Sequence, residues 1–368
     1  MSQPYREFKT TGVLARVVAL VGTLLTLVAP LAILEGLSRL AHLGARPAIP
    51  YILDDDLNSR MAPYFSSKVK LSGHPVVEYC TDGLGLRRQT CGLDGGGNAQ
   101  TVLGVGDSQV LGWGLAFNDT YTSRAVRAAY GSSFDQNVQL LAVAASDPES
   151  LRSWARDYAR HSEPTVRLKI LTLNLGNDFD EMYFRGVSVK FPHFRRVSEW
   201  LGRTSFFVMD FTLFKNLFGA AWQFPPGANP VVFSLDSSER HELAMATVDS
   251  LVRLDNTLPA AKHTVIVMLP QDYQVDSDQF KKYRSFYHSD AEYLPWFKSS
   301  REAVARLDSL DDTIIQELTS RGYIIVDPRA QLRAAPHDHM FDGASHHYTN
   351  VGQTIIGQQI AEKIEGLQ

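Results

Sequence analysis

The sequence predicts an α/β protein: three layers, α/β/α, around a mostly parallel sheet of five strands, with a transmembrane helix at the N-terminus. Three observations carry this. From residue 100 onward, short apolar runs alternate with longer helical stretches. The runs are short, apolar and rich in Val, Ile or Leu, as strands covered on both faces are. Ahead of them lies one long uncharged run.

That run is residues 17–34, VVALVGTLLTLVAPLAIL. As a helix it spans roughly 27 Å, close to a hydrocarbon core of about 30 Å. Pro30 is tolerated in a membrane helix. Arg6, Lys9 and Arg16 precede it, which favours a cytoplasmic N-terminus, although Arg39 and Arg46 follow and weaken the asymmetry. The apolar core of a signal peptide is shorter, about 7–15 residues, and no clear A-x-A cleavage site follows here. An uncleaved anchor, entering the membrane through residues 13–34, is preferred over a cleaved signal or a buried soluble helix. Residues 1–40 are then a cytoplasmic tip and anchor, and everything after them lies outside the cytoplasm, periplasmic or extracellular.

Residues 41–98 read as a linker and irregular lead-in, with Pro47, Pro50, Pro63 and Pro75 and the stretch GLDGGG at 92–97. The two cysteines of the chain, Cys80 and Cys91, lie here. In an oxidising compartment they would close a small loop, contributing about 2–3 kcal/mol; the other reading is two separate thiols, since sequence gives no Cα distance.

Residues 99–368 form the α/β domain. Candidate strands are 101–105, 137–144, 167–174, 263–269 and 322–327; candidate helices are 119–130, 148–161, 238–257, 297–320 and 351–366. Strand–helix alternation implies a parallel sheet with helices on both faces, and such sheets place their sites beyond the carboxyl ends of the strands. Residues 185–235 interrupt the alternation and are rich in aromatics, among them Phe191, Trp200, Phe211 and Trp222. They read as an inserted helical pair with its own small core, with a cap over the site or a membrane-facing surface as the alternative. Of the 368 residues, 44% are hydrophobic and 21% charged, an ordinary globular balance. The net charge of −4 and the lack of a basic stripe argue against a nucleic-acid partner.

The first strand runs into VLGVGDSQVLGWG at 102–114. A phosphate-cradling turn fails on spacing: neither G-x-G-x-x-G nor a Gly-Lys-Ser/Thr loop is present, and the G-x-S-x-G elbow is absent because Val110 stands two residues after Ser108. The alternative is a turn that presents the hydroxyl of Ser108, with Asp107 a structural turn residue and Trp113 either core or site wall. A serine needs a base and oxyanion donors to act as a nucleophile. Two later loops offer them: LGNDFDE at 175–181 and FDGASHHYTNVGQ at 341–353.

GDSQVLGWG, LGNDF and HHYTNVGQ, in that order and each at its place relative to a strand or the last helix, resemble the SGNH/GDSL hydrolase family, particularly a membrane-anchored extracytoplasmic branch similar to polysaccharide O-acetyl esterases and acetyltransferases. The likeness covers roughly residues 100–368. It implies a flavodoxin-like fold, no cofactor, and a Ser-His(-Asp) acyl-transfer site. Ser108 would be the nucleophile, its own N–H one oxyanion donor, and the Asn177 amide a second. The family's next block supplies a glycine N–H; here LLAVAASD has none, and Ala142 or Ala145 stands in its place. A backbone N–H survives Gly→Ala where φ is negative. His347, with Thr349 and Gly352 after it, fits the pattern of the base; His346 is its neighbour and alternative. The family's acid sits two or three residues before the base, but those positions are Ala344 and Ser345. Asp342, five before, is the candidate acid, ahead of Asp338, and a dyad without an acid is the other option. The cluster His337, Asp338, His339, Asp342, His346 and His347 matches no familiar zinc spacing, so no metal is assigned.

The expected function is a serine-dependent ester hydrolase acting on an O-acylated, in the first instance acetylated, glycan or lipid of the cell envelope. The same site would serve a polysaccharide O-acetyltransferase. A non-catalytic glycan-binding protein on the same fold is the alternative from outside enzymology.

Overall fold

The computed structural model describes residues 11–41, 45, 46, 49, 51–53, 59–71, 74–91, 100–144, 146–161, 165–174, 236–276, 300–342 and 347–367. The aromatic-rich stretch 185–235 lies outside them.

In chain order the described elements begin with helix α1 (Thr11–Ala41) and five short strands: β1 (Tyr51–Leu53), β2 (Ser59–Met61), β3 (Ser66–Lys70), β4 (Val76–Thr81) and β5 (Arg87–Arg88). Strand β6 (Thr101–Gly106) follows, then α2 (Ser108–Leu111), α3 (Tyr121–Tyr130), β7 (Val138–Ala142), α4 (Pro148–His161) and β8 (Val166–Asn174). The last part holds α5 (Ser237–Thr257), β9 (Ala261–Leu269), α6 (Asp272–Val275), α7 (Ser300–Ser320), β10 (Ile324–Val326), α8 (Arg329–Ala334) and α9 (Asn350–Glu365).

Helix α1 contains the segment Ala19–Leu40, long and apolar enough to cross a membrane. Its described Val and Leu side chains, such as Leu20 and Leu31, are exposed.

Among the described residues the main sheet has eight strands in the order β10-β9-β8-β6-β7-β5-β4-β3. The first five are mutually parallel and correspond to the five strands read from the apolar runs. They are apolar and buried because helices cover both faces. The chain steps from β6 to β7 in one direction, then crosses back past β6 to β8 and continues to β9 and β10. Right-handed crossovers therefore put α3 on one face and α4, α5 and α7 on the other. The packing follows: α9 lies on α3, while α5 lies between α4 and α7. One charge enters the apolar layer. Lys169 of β8 is buried and forms an ion pair with Asp255 of α5, whose carboxylate also accepts from Tyr323 Oη at 3.0 Å. A buried ammonium requires such a partner.

The segment 41–98 differs from the expectation of an irregular lead-in. Three of its strands, β5, β4 and β3, extend the sheet antiparallel beyond β7, and β1 and β2 pair as a separate hairpin. Cys80 and Cys91 form a disulfide across the β4–β5 turn, with Cα atoms 4.7 Å apart. Most of these strands are very short or polar and so give no clear period: β1, β2 and β5 have two or three residues, and in β3, SSKVK, only Val69 is fully buried.

Candidate active site

Strand β6 lies where the order of the parallel strands reverses, the position at which open α/β sheets hold their sites. The chain leaves it through Gly106, where a Cβ would stand 2.5 Å from Val110 Cγ2 and 3.2 Å from Thr172 Cβ. Glycine is thus required by close approach. Asp107 caps α2, its side chain accepting from Gln109 N at 2.9 Å, and its other oxygen accepts from Asn174 Nδ2 at 3.1 Å. It is a turn residue, tied to the end of β8. Ser108 opens the helix and is largely buried.

Ser108 Oγ lies 2.7 Å from His347 Nε2. The indole of Trp113 stacks on the His347 ring, centroids 5.5 Å apart and planes 14° from parallel, so Trp113 is a wall of the site. On the far side of the imidazole, Asp342 Oδ2 is 3.9 Å from Nδ1. A spacing of five residues brings acid and base together because the chain folds back on itself. Phe341 bridges Tyr348 in antiparallel fashion, Asp342 N donates to His347 O at 2.9 Å, and Thr349 N donates to Met340 O at 2.9 Å. A carboxylate on the Nδ1 side favours the tautomer with a proton there, leaving Nε2 to accept from the serine. Asp338, the weaker candidate acid, is exposed.

The serine and histidine loops are locked to each other by glutamines that lie within the GDSQVLGWG and HHYTNVGQ stretches but carry no role in the sequence reading. Gln109 Oε1 accepts from Tyr348 N at 3.1 Å, the amide next to His347. Gln353, in the first turn of α9, donates to Gln109 O at 3.4 Å and accepts from Tyr121 N at 2.7 Å. Tyr348 Oη donates to Pro270 O at 2.6 Å, and burial holds the phenol well above its ordinary pKa, so it stays a neutral donor. Gln271 donates to Asn174 Oδ1, joining the ends of β9 and β8. All these groups are polar, buried and mutually satisfied, which fixes geometry as well as stability.

The lead-in completes the site. Arg87 is fully buried and donates to Leu111 O, to Gly112 O at 3.1 Å and to Leu115 O at 2.6 Å, with its guanidinium 3.9 Å from the centroid of the Tyr79 ring. Burial lowers its pKa from the ordinary arginine value. Tyr79 Oη donates to Gly112 O at 2.9 Å and accepts from Gly114 N at 2.9 Å. Together they brace the turn that follows the serine helix. His74, just before β4, places Nε2 3.2 Å from Asp342 Oδ2.

Of the residues expected from sequence, Ser108, His347 and Asp342 are gathered at one point. Ala142 is the last residue of β7, buried and in register with Gly106 within the ladder. Asn177, Ala145 and His346 lie outside the described residues, although β8 ends three positions before Asn177. Sequence reasoning missed Gln109, Gln353, Tyr79, Arg87 and His74. Nothing in their local sequence sets them apart from ordinary surface polar or aromatic residues.

No family model and no curated protein matches the chain. Several solved structures overlap it in part. One is a member of the lipolytic protein G-D-S-L family from Veillonella parvula, at 11% identity and a TM-score of 0.39, covering 72% of this chain and 97% of that one. Another is an acetyl xylan esterase from Geobacillus stearothermophilus, at 11% identity and a TM-score of 0.37, covering 73% and 95%. A third is a lipase/acylhydrolase from Enterococcus faecalis, at 9% identity and a TM-score of 0.37, covering 73% and 97%.

Proposed function

We propose that this protein is a serine ester hydrolase of the SGNH/GDSL type. The observation that carries the reading is the 2.7 Å contact between Ser108 Oγ and His347 Nε2, with Asp342 behind the ring. Ser108 Oγ attacks the acyl carbonyl while His347 Nε2 takes its proton. The oxyanion is held by the N–H of Ser108, a first-turn amide of α2 that has no acceptor within its own helix, and by the Asn177 amide. The imidazolium then returns the proton to the leaving alcohol. Water attacks the acyl-enzyme with the same imidazole as base, releasing the carboxylic acid and restoring the serine. Asp342 holds the productive tautomer and stabilises the imidazolium.

The substrate in this reading is an O-acylated glycan or lipid outside the cytoplasm. Two features support the compartment: a segment fit to anchor the chain in a membrane, and a disulfide, which persists in oxidising spaces. The test is hydrolysis of p-nitrophenyl acetate by the wild-type protein and by Ser108→Ala. Activity in the first and a loss of about 10⁴-fold or more in the second is expected; equal rates would overturn the reading. If added oligosaccharide hydroxyls become acetylated at the expense of free acetate, the site is a transferase.

A further inference from the structure

Asp342 is shared. Its Oδ2 lies 3.9 Å from His347 Nδ1 but only 3.2 Å from Nε2 of His74, a second imidazole supplied from 268 positions earlier in the chain. We propose that His74 is a positioning residue for the reaction: it anchors the Asp342 carboxylate from behind, so that the acid stays aimed at His347.

Four observations converge. His74 and Asp342 are both mostly shielded from solvent, with side chains 9% and 13% exposed. His74 Nε2 is buried and has no aligned hydrogen bond among the described residues, yet a buried imidazole nitrogen calls for a polar partner, and Asp342 Oδ2, 3.2 Å away, stands beside it. The ring is seated deliberately close to the serine loop, since a Cβ on Gly114 would lie 2.1 Å from His74 Nδ1 and Gly114 occupies the left-handed region at φ +70°. Finally, the backbone of His74 is fixed by its own turn, with His74 N donating to Leu71 O at 3.0 Å, immediately ahead of β4.

The need for such an anchor follows from the hairpin. The bond from Asp342 N to His347 O fixes the backbone of the acid but does not by itself set the angle of its side chain, and a reacting histidine is best served by a carboxylate held at a fixed angle. His74 supplies that angle from a separate, sheet-anchored element. It does not touch the serine and moves no proton to substrate.

The proposal rests on the hydrolase reading, and its test separates the two. Rates of p-nitrophenyl acetate hydrolysis are measured for wild type, S108A, H74A, H74Q, D342N and the double variant H74A/D342N, with melting temperatures recorded for each. H74A should lower kcat about tenfold with KM nearly unchanged, and H74Q, which keeps an N–H donor, should recover most of it. The double variant should be no slower than D342N alone, because an anchor has no effect once its carboxylate is gone. Multiplying losses in the double variant, or no recovery in H74Q at unchanged melting temperature, would overturn the role of His74 while leaving the hydrolase reading intact. Full activity in S108A would overturn the hydrolase reading itself.

Discussion

The parallel half of the sheet and its antiparallel extension are built from different residues and do different work. Strand β6 is buried along its whole length and β8 nearly so, and Ser108 stands just beyond the carboxyl end of β6. In the extension, β3 alternates exposed and buried positions and β5 consists of two arginines, both buried. The first half presents the serine. The second holds it still, through Arg87 and Tyr79 on the turn after α2 and through His74 on the acid. A loop that carries a motif can therefore depend on a segment that carries none.

If the division of labour is real, changes in the two halves should differ in kind. After loss of the serine or of its base His347, the largest effect is expected at Asp342. Asp342→Asn should lower kcat by about 10²–10⁴-fold with little change in stability, read from steady-state kinetics alongside a urea titration. Arg87→Lys should act first on stability. A lysine cannot span three carbonyl acceptors with one planar fork, so the variant should lose about 2–4 kcal/mol by urea unfolding, with activity falling as the serine turn loosens. Unchanged stability would show that the extension is not a brace.

Replacing Cys80 and Cys91 together by serine should cost about 2–3 kcal/mol, because the closed loop is short. The melting temperature should drop, and the wild-type protein in reductant should match the variant.

A smaller effect concerns pH. Asp311, on α7, accepts from Gln274 Nε2 at 2.7 Å, and burial pushes its pKa up to about 8, against the opposing pull of Arg329. Its folded-state pKa is above the unfolded value of about 3.9, so the folded state binds the extra proton between them. The stability it contributes is full below that unfolded value and is lost as pH rises toward 8. Asp311→Asn keeps an acceptor for Gln274 and should flatten the dependence of unfolding free energy on pH between about 4 and 8.

Much of this was legible in the sequence. The five parallel strands announce themselves as apolar runs between helical stretches, and Ser108 and His347 stand in motifs at the expected places. Asp342 was legible as a candidate but not as a contact, because the Phe341–Tyr348 bridge that folds it back is a tertiary event. The extension was illegible for a physical reason. A two-residue strand of arginines has no hydrophobic period, and Arg87 is buried only because carbonyls from the distant serine turn receive it. Gln109 and Gln353 are similar: in sequence they look like surface polar residues, and only the seating of α9 against α2 and α3 makes them partners.

The most direct test of the central claim is covalent capture by a fluorophosphonate, which reacts with a serine activated by a neighbouring base. Intact-mass and peptide-mass measurement on the full chain should find one adduct, on Ser108, formed rapidly in wild type and slowed at least about a hundredfold in His347→Ala. An adduct on another residue, or equal rates with and without His347, would contradict it.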